Sequence, residues 1–156
     1  MKAIFTSFLS LIAIVAFSNS SIAQVLVSEI GGTTFFDDFD SYTAGLQLVG
    51  QSGGGWDTWS GGGGTNEDPF VSDAYSYSGS NSTVIALNND LVRQFGQLTS
   101  GKWYISVLIY IPTGGGTFII MSSFTPNPFI WGLETHFNAG GTGDLYAGSP
   151  TPIPFT

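Results

Sequence analysis

Cysteine is absent from the 156 residues, so the chain can form neither a disulfide framework nor a thiolate metal site. Basic residues are scarce as well: three Lys and Arg stand against eleven Asp and Glu, which gives a net charge of −8. Nucleic acids and anionic membrane surfaces are bound through Lys and Arg side chains that neutralise phosphates. We therefore expect neither of them as a partner.

Apolar residues are plentiful by contrast, at 42% hydrophobic and 15% aromatic, and 22 glycines and 7 prolines interrupt them. This composition is too apolar and too weakly charged for a disordered chain. The length suits one domain. The sequence therefore predicts a folded, loop-rich domain that is stabilised by apolar burial.

The N-terminus has the pattern of a secretory signal peptide. Lys2 precedes an apolar run over residues 3–17, and Ser21-Ile22-Ala23 ends in the small residues that signal peptidase requires. The apolar run is shorter than the roughly 20 residues needed to span a bilayer. We expect a signal peptide over residues 1–23, a mature domain over 24–156 with no membrane insertion, and a secreted or cell-surface bacterial protein.

Hydrophobic residues in the mature chain alternate with a period of two, which is typical of β-strands. Residues 102–111 are apolar on both faces, which predicts a central strand that Pro112 ends. A glycine-rich turn and a strand over 117–122 follow, which predicts a hairpin, and another strand is expected over 129–137. Shorter strands are expected over 24–29, 34–39, 82–87, 91–95 and 144–147. The predicted fold is an all-β antiparallel sandwich or jelly roll.

Three acids in four residues, Asp37, Asp38 and Asp40, form one candidate site. Carboxylate oxygens are the ligands that Ca²⁺ prefers, so these acids are candidate calcium ligands. The alternative is that they are solvated acids at a strand end.

Two further groups are candidates for ligand binding. Trp56 and Trp59 lie in a long glycine-rich segment over 49–68, where they could offer flat faces to sugar rings or cap the core. Glu134 and His136 share one face of a predicted strand, where they could hydrogen-bond a ligand, act as an acid/base pair or have only a structural role.

Motifs that would indicate catalysis are missing. The chain has no Gly-x-Ser-x-Gly elbow, no phosphate-binding loop and no His-Glu-x-x-His site. Glycoside hydrolysis would need two carboxylates about 5–9 Å apart, and no spacing in the sequence indicates such a pair. We expect a protein that is not an enzyme.

Several segments resemble the concanavalin A-like, or laminin G-like, jelly-roll domains of secreted Bacteroidetes proteins. They are Phe-Phe-Asp-Asp-Phe-Asp-Ser-Tyr-Thr-Ala-Gly over 35–45, the segments over 68–82 and 139–145, and Gly-Lys-Trp-Tyr-Ile-Ser over 101–106 with the turn at 110–112. The resemblance covers residues 35–156. It implies extracellular recognition or adhesion, often of carbohydrate and sometimes with a calcium ion, and it does not imply catalysis.

Members of this family are usually large proteins with a C-terminal domain for type IX secretion. Their fold continues with several strands beyond the position of Thr156, so we expect this sequence to be a truncated part of a longer protein. The sequence favours a module that binds a glycan or another cell-surface polymer. The alternatives are a structural spacer domain of a larger adhesin and a glycoside hydrolase-related domain.

Overall fold

Two antiparallel β-sheets make up most of the computed structural model, which describes residues 13–16, 20–29, 32–96, 102–111, 114–124 and 129–156. The predicted all-β sandwich is confirmed, whereas the jelly-roll connectivity stays a prediction. The strands are β1 (Ala13–Ala16), β2 (Ser20–Glu29), β3 (Gly32–Asp37), β4 (Phe70–Ser72), β5 (Ser82–Ile85), β6 (Trp103–Tyr110), β7 (Gly116–Ser123), β8 (Ile130–Phe137), β9 (Gly143–Ala147) and β10 (Ile153–Phe155). A short helix, α1, spans Leu48–Gln51.

Sheet I is organised around β2. Along one side β2 pairs with β6, and along the other it pairs first with β5 and then with β3, while β4 extends the sheet from β5. Sheet II has the order β1-β7-β8-β9-β10, with every neighbouring pair antiparallel.

The core lies between the two sheets. From sheet I, β6 contributes Ile105, Val107 and Ile109, and from sheet II, β7 contributes Phe118 and Ile120. The connecting segments add Phe39, Leu48, Trp56 and Leu91, all of them at most 2% exposed. The sheets therefore bury one face each against the other, and the loops close the core between them.

The predicted hairpin between β6 and β7 is wrong. The two strands lie in different sheets, and the segment between them crosses from sheet I to sheet II. This arrangement lets the apolar faces of β6 and β7 pack against each other across the sandwich, which pairing side by side would not allow.

The expectation that both faces of β6 are covered is wrong as well, and within the described ranges β6 pairs only with β2. Its second face carries Tyr104 and Tyr110, which are 59% and 47% exposed. Tyrosine contributes to an apolar pattern in the sequence but tolerates water at its hydroxyl end. No strand forms over 91–95 either, where Val92 makes a single bridge with Asp57.

The predicted signal segment lies partly outside the described residues. Within it, β1 pairs with β7, and residues 20–23 begin β2, so the predicted cleavage bond between Ala23 and Gln24 falls inside a strand. Signal cleavage stays a prediction. No helix in the described part of the chain is long and apolar enough to span a membrane.

Candidate ligand-binding face

Trp56 lies in the core and is only 2% exposed. Its indole Nε1 donates to Asp37 Oδ2 at 2.7 Å, and its ring stacks on Phe39 with centroids 5.7 Å apart. Asp37 also accepts from the Phe39 amide and from the Tyr42 hydroxyl. Burial and this hydrogen bond raise the pKa of the Tyr42 hydroxyl. The expectation that Trp56 faces a ligand is therefore corrected, and the alternative, a Trp that caps the core, describes its position.

The other two acids of the predicted calcium site serve the local backbone. Asp38 accepts from the Asp40 amide at 3.2 Å, while Asp40 Oδ1 accepts from the amides of Ser80 and Asn81. The residues that the structure describes contain no group of three or more His, Cys, Asp or Glu able to hold a metal ion. Calcium binding by Asp37, Asp38 and Asp40 stays a prediction, which thermal melts with calcium and with a chelator test.

Trp59 lies in the glycine-rich segment, where three carboxylates of the segment itself accept from its own amides and Asp90 connects it to the rest of the domain. Asp57 accepts from the amide of Gly62, Glu67 from Ser60, Asp68 from Gly64, and Asp90 from Trp59. The Trp59 amide is held by Asp90 Oδ1 at 2.6 Å. These hydrogen bonds order the segment despite its glycine content.

Among the acids around Trp59, Asp90 is the one whose pKa is raised. Burial raises the pKa of Asp90 to about 6, the amide of Trp59 opposes this rise, and the nearby charges of Glu67 and Asp57 add to it. The Ser60 hydroxyl and amide lower the pKa of Glu67 in turn. The anchor of Trp59 is therefore a half-buried carboxylate that loses its charge in mildly acidic solution.

A β-bulge at Gly132 decides where the next aromatic side chain points. Consecutive residues of β7, Ile120 and Met121, pair with Leu133 and Trp131 of β8, so that Gly132 has no partner. Directly paired residues lie on the same face of a sheet, and neighbours along a strand lie on opposite faces. The bulge therefore moves Trp131 away from the inner face of Leu133 and onto the face of Met121. A Cβ at position 132 would approach the Ile120 carbonyl oxygen to 3.0 Å, which favours glycine there.

Trp131 and Trp59 form an aromatic platform with Phe129, in which Trp59 is only partly exposed and packs against the buried Met121 and Val92. The two indole rings stack with centroids 6.0 Å apart and planes 12° from parallel, and Phe129 lies 5.1 Å from Trp59. Phe124 supports Trp59 edge-on at 4.9 Å. Trp131 is 44% exposed, and Phe129 and Ile130 are also more than one-third exposed. We call Trp59, Phe129 and Trp131 the aromatic platform.

Polar side chains follow the platform along the same face of sheet II. Glu134 pairs with Ile119 of β7, and Ile119 lies on the same face of the sheet as Met121, two residues further on. On the other edge of β8, Glu134 pairs with Tyr146 of β9. His136 Nε2 lies 3.4 Å from Glu134 Oε2, and its ring packs edge-on against Tyr146. The His136 and Glu134 side chains are 39% and 32% exposed, so both can reach a ligand.

The structure therefore brings three of the predicted ligand-binding residues, Trp59, Glu134 and His136, to one face of sheet II, and it places Trp56 elsewhere. Sequence reasoning missed Trp131 and Tyr146. For Trp131 the signal was a glycine inside a predicted strand, which often marks a bulge. The position of Tyr146 depends on the register between β8 and β9, which the sequence does not indicate.

No protein-family model, curated protein or solved structure matches the chain. The resemblance to concanavalin A-like domains therefore stays a prediction.

Proposed function

We propose that this protein is a non-catalytic extracellular module that binds a glycan on the outer face of sheet II. The observation that carries the proposal is the stacked pair of Trp59 and Trp131, of which Trp131 is 44% exposed and lies on the same face as polar side chains. Apolar sugar faces pack on aromatic rings, while sugar hydroxyls need hydrogen-bonding partners. The platform supplies the first kind of contact, and Glu134, His136 and Tyr146 supply the second.

The negative charge of the chain favours a neutral or cationic glycan as the ligand. Asp57, Glu67 and Asp90 lie in and beside the segment that carries Trp59, and Glu134 lies on the face itself. With a net charge of −8, the protein repels polyanions. A neutral polysaccharide such as a glucan, xylan or mannan avoids this repulsion.

A spacer domain of a larger adhesin is the second candidate, and one observation favours it. Phe129, Ile130 and Trp131 are consecutive, apolar and each more than one-third exposed. An exposed apolar patch is also what a neighbouring domain would cover. The two candidates predict different results for isolated chains mixed with polysaccharides.

Affinity electrophoresis of the full chain through gels that contain soluble glucan, xylan or mannan tests the proposal. We expect at least one neutral polysaccharide to retard the protein, and Trp131→Ala to weaken that retardation by about tenfold in affinity, equivalent to about 1.4 kcal/mol. Trp131→Phe retains a ring and should keep part of the binding. Glu134→Gln and His136→Ala report on the polar half of the face.

Phe36→Ala is the matched control, because Phe36 is an exposed aromatic residue of sheet I, at 48%, outside the proposed site. It should bind like the wild type. A reducing-end assay on the bound polysaccharide should detect no cleavage. Absence of retardation by every polysaccharide would refute glycan binding and favour the spacer domain.

A further inference from the structure

A groove on the other sheet has the size and chemistry of a second ligand site. It has a volume of about 540 Å³ and lies between the β4–β5 connection and the end of β6. Tyr75 and Tyr77 line one wall, and Leu108 and Tyr110 line the other. Small-ligand sites typically have volumes of about 300–1,000 Å³.

Tyrosine rings dominate this groove and are open to solvent. The rings of Tyr75 and Tyr110 lie 4.6 Å apart, and Tyr77 is 71% exposed, more than any other large hydrophobic residue of the described chain. The connection that carries Tyr75 and Tyr77 is fixed at both ends, because the Ser72 hydroxyl accepts from the Ala74 amide and Asp40 holds the amides that follow Gly79. The aromatic wall is therefore held against β6.

The lining of the groove selects for an uncharged, polyhydroxylated ligand. Among the described residues that line it there is neither an acidic nor a basic side chain, so an ion would lose hydration there without gaining a charged partner from them. The phenol rings offer flat apolar faces, and their hydroxyl groups donate and accept hydrogen bonds. A sugar chain uses both properties, whereas a plain alkyl chain would leave the hydroxyls unpaired.

The groove and the aromatic platform face in different directions. Ile105, Val107 and Ile109 of β6 point into the core, so Leu108 and Tyr110 point to the outer face of sheet I. The platform lies on the outer face of sheet II. A short oligosaccharide in one site therefore does not reach the other.

We infer that the protein has a second carbohydrate site in the Tyr75–Tyr77–Tyr110 groove and that its two sites cross-link neutral polysaccharide chains. The inference rests on the proposed function for the ligand class. It adds a second binding site and bivalency, which that function does not require. Binding two chains at once raises the overall avidity without any new contact within either site.

Cross-linking of whichever neutral polysaccharide retards the full chain, among soluble glucan, xylan and mannan, tests this inference. Turbidity and light scattering report on cross-linking, and affinity electrophoresis reports on binding. The variants are Trp131→Ala for the platform and the double variant Tyr77→Ala/Tyr110→Ala for the groove. Tyr104→Ala is the matched control, because Tyr104 is exposed on the same face of β6 but lies outside the groove.

The wild type and Tyr104→Ala should cross-link the polysaccharide. Each site variant should keep part of the binding and lose the cross-linking, and the combination of both should lose all binding. If Trp131→Ala alone abolishes binding and the groove variant changes nothing, the second site is refuted while the proposed function stands. If no polysaccharide is bound at all, both fail together.

Discussion

Replacing Asp90 with Asn should stabilise the protein at neutral pH, although Asp90 accepts a hydrogen bond from the Trp59 amide. Burial raises the pKa of Asp90 from 3.8 to about 6, with smaller contributions from Glu67 and Asp57. The folded protein therefore holds this proton more tightly than the unfolded chain does. The carboxylate charge is a cost to the folded state, and Asn removes the charge while keeping an oxygen that can accept from Trp59.

The size of this cost follows from the two pKa values. The difference between the folded and unfolded pKa values of Asp90 corresponds to a loss of about 3 kcal/mol in the free energy of unfolding, if the side chain were fully buried. Because Asp90 is only half-buried and solvent screens its charge, we expect about 1–2 kcal/mol, or a rise in Tm of about 3–6 °C. Above pH 6 the carboxylate is charged in both the folded and the unfolded state, so the cost is complete. As the pH falls from about 6 to about 4, the folded state takes up the proton first and the cost declines.

Urea unfolding of Asp90→Asn and the wild type, followed by Trp fluorescence at pH 8 and at pH 5, measures this effect. The variant should be more stable at pH 8, and its advantage should be smaller at pH 5. Asp73→Asn, which removes an exposed acid, is the matched control and should show no such pH dependence. A variant that is less stable than the wild type at pH 8 would show that the hydrogen bond outweighs the burial of charge.

Three further substitutions test the core and its supports by urea unfolding. Asp37→Ala leaves three donors without their acceptor, two of them buried, and should lower the free energy of unfolding by about 3–5 kcal/mol. Asp38→Ala should change the free energy of unfolding by no more than about 0.5 kcal/mol. Gly79→Ala places a Cβ 1.6 Å from Asp40 Oδ2 at a φ of +64°, which should cost about 1–3 kcal/mol. Phe118→Ala opens a cavity between the sheets and should cost about 3–5 kcal/mol.

Conservative variants separate the causes of these losses. Gly53→Ala has a similar positive φ but no atom within 4 Å of the added Cβ, so it should lose less stability than Gly79→Ala. An equal loss would assign the effect to backbone strain alone. Phe118→Leu fills most of the cavity and should recover most of the stability. If Asp37→Ala and Asp38→Ala were equally stable, the role of Asp37 as the buried acceptor would be wrong.

The strands themselves were largely predictable from the sequence. The alternation over 102–111, 117–122 and 129–137 predicts β6, β7 and β8 to within a residue or two, because one-sided burial leaves a period of two in the sequence. The strands β1, β4 and β10 were missed. Two of them, β4 and β10, are only three residues long, too short to show a period.

The partners of these strands were not predictable from the same pattern. The period of two identifies the two faces of β6 but not the sheet that either face meets, so the hairpin between β6 and β7 was a wrong inference. Strand pairing depends on contacts between residues far apart in the chain, which a local pattern does not contain.

Local sequence alone determined the all-β class and the acidic net charge, since these follow from period and composition. Tertiary structure decided the candidate site. Trp56 and Trp59 are equivalent in the sequence, yet Asp37 binds the first in the core while Asp90 holds the second beside Trp131. The bulge at Gly132 turned Trp131 outward, and the β8–β9 register set Tyr146 beside Glu134. Each of these positions depends on contacts with residues far away in the chain. Such contacts form only when the chain folds, so a local sequence pattern does not reveal them.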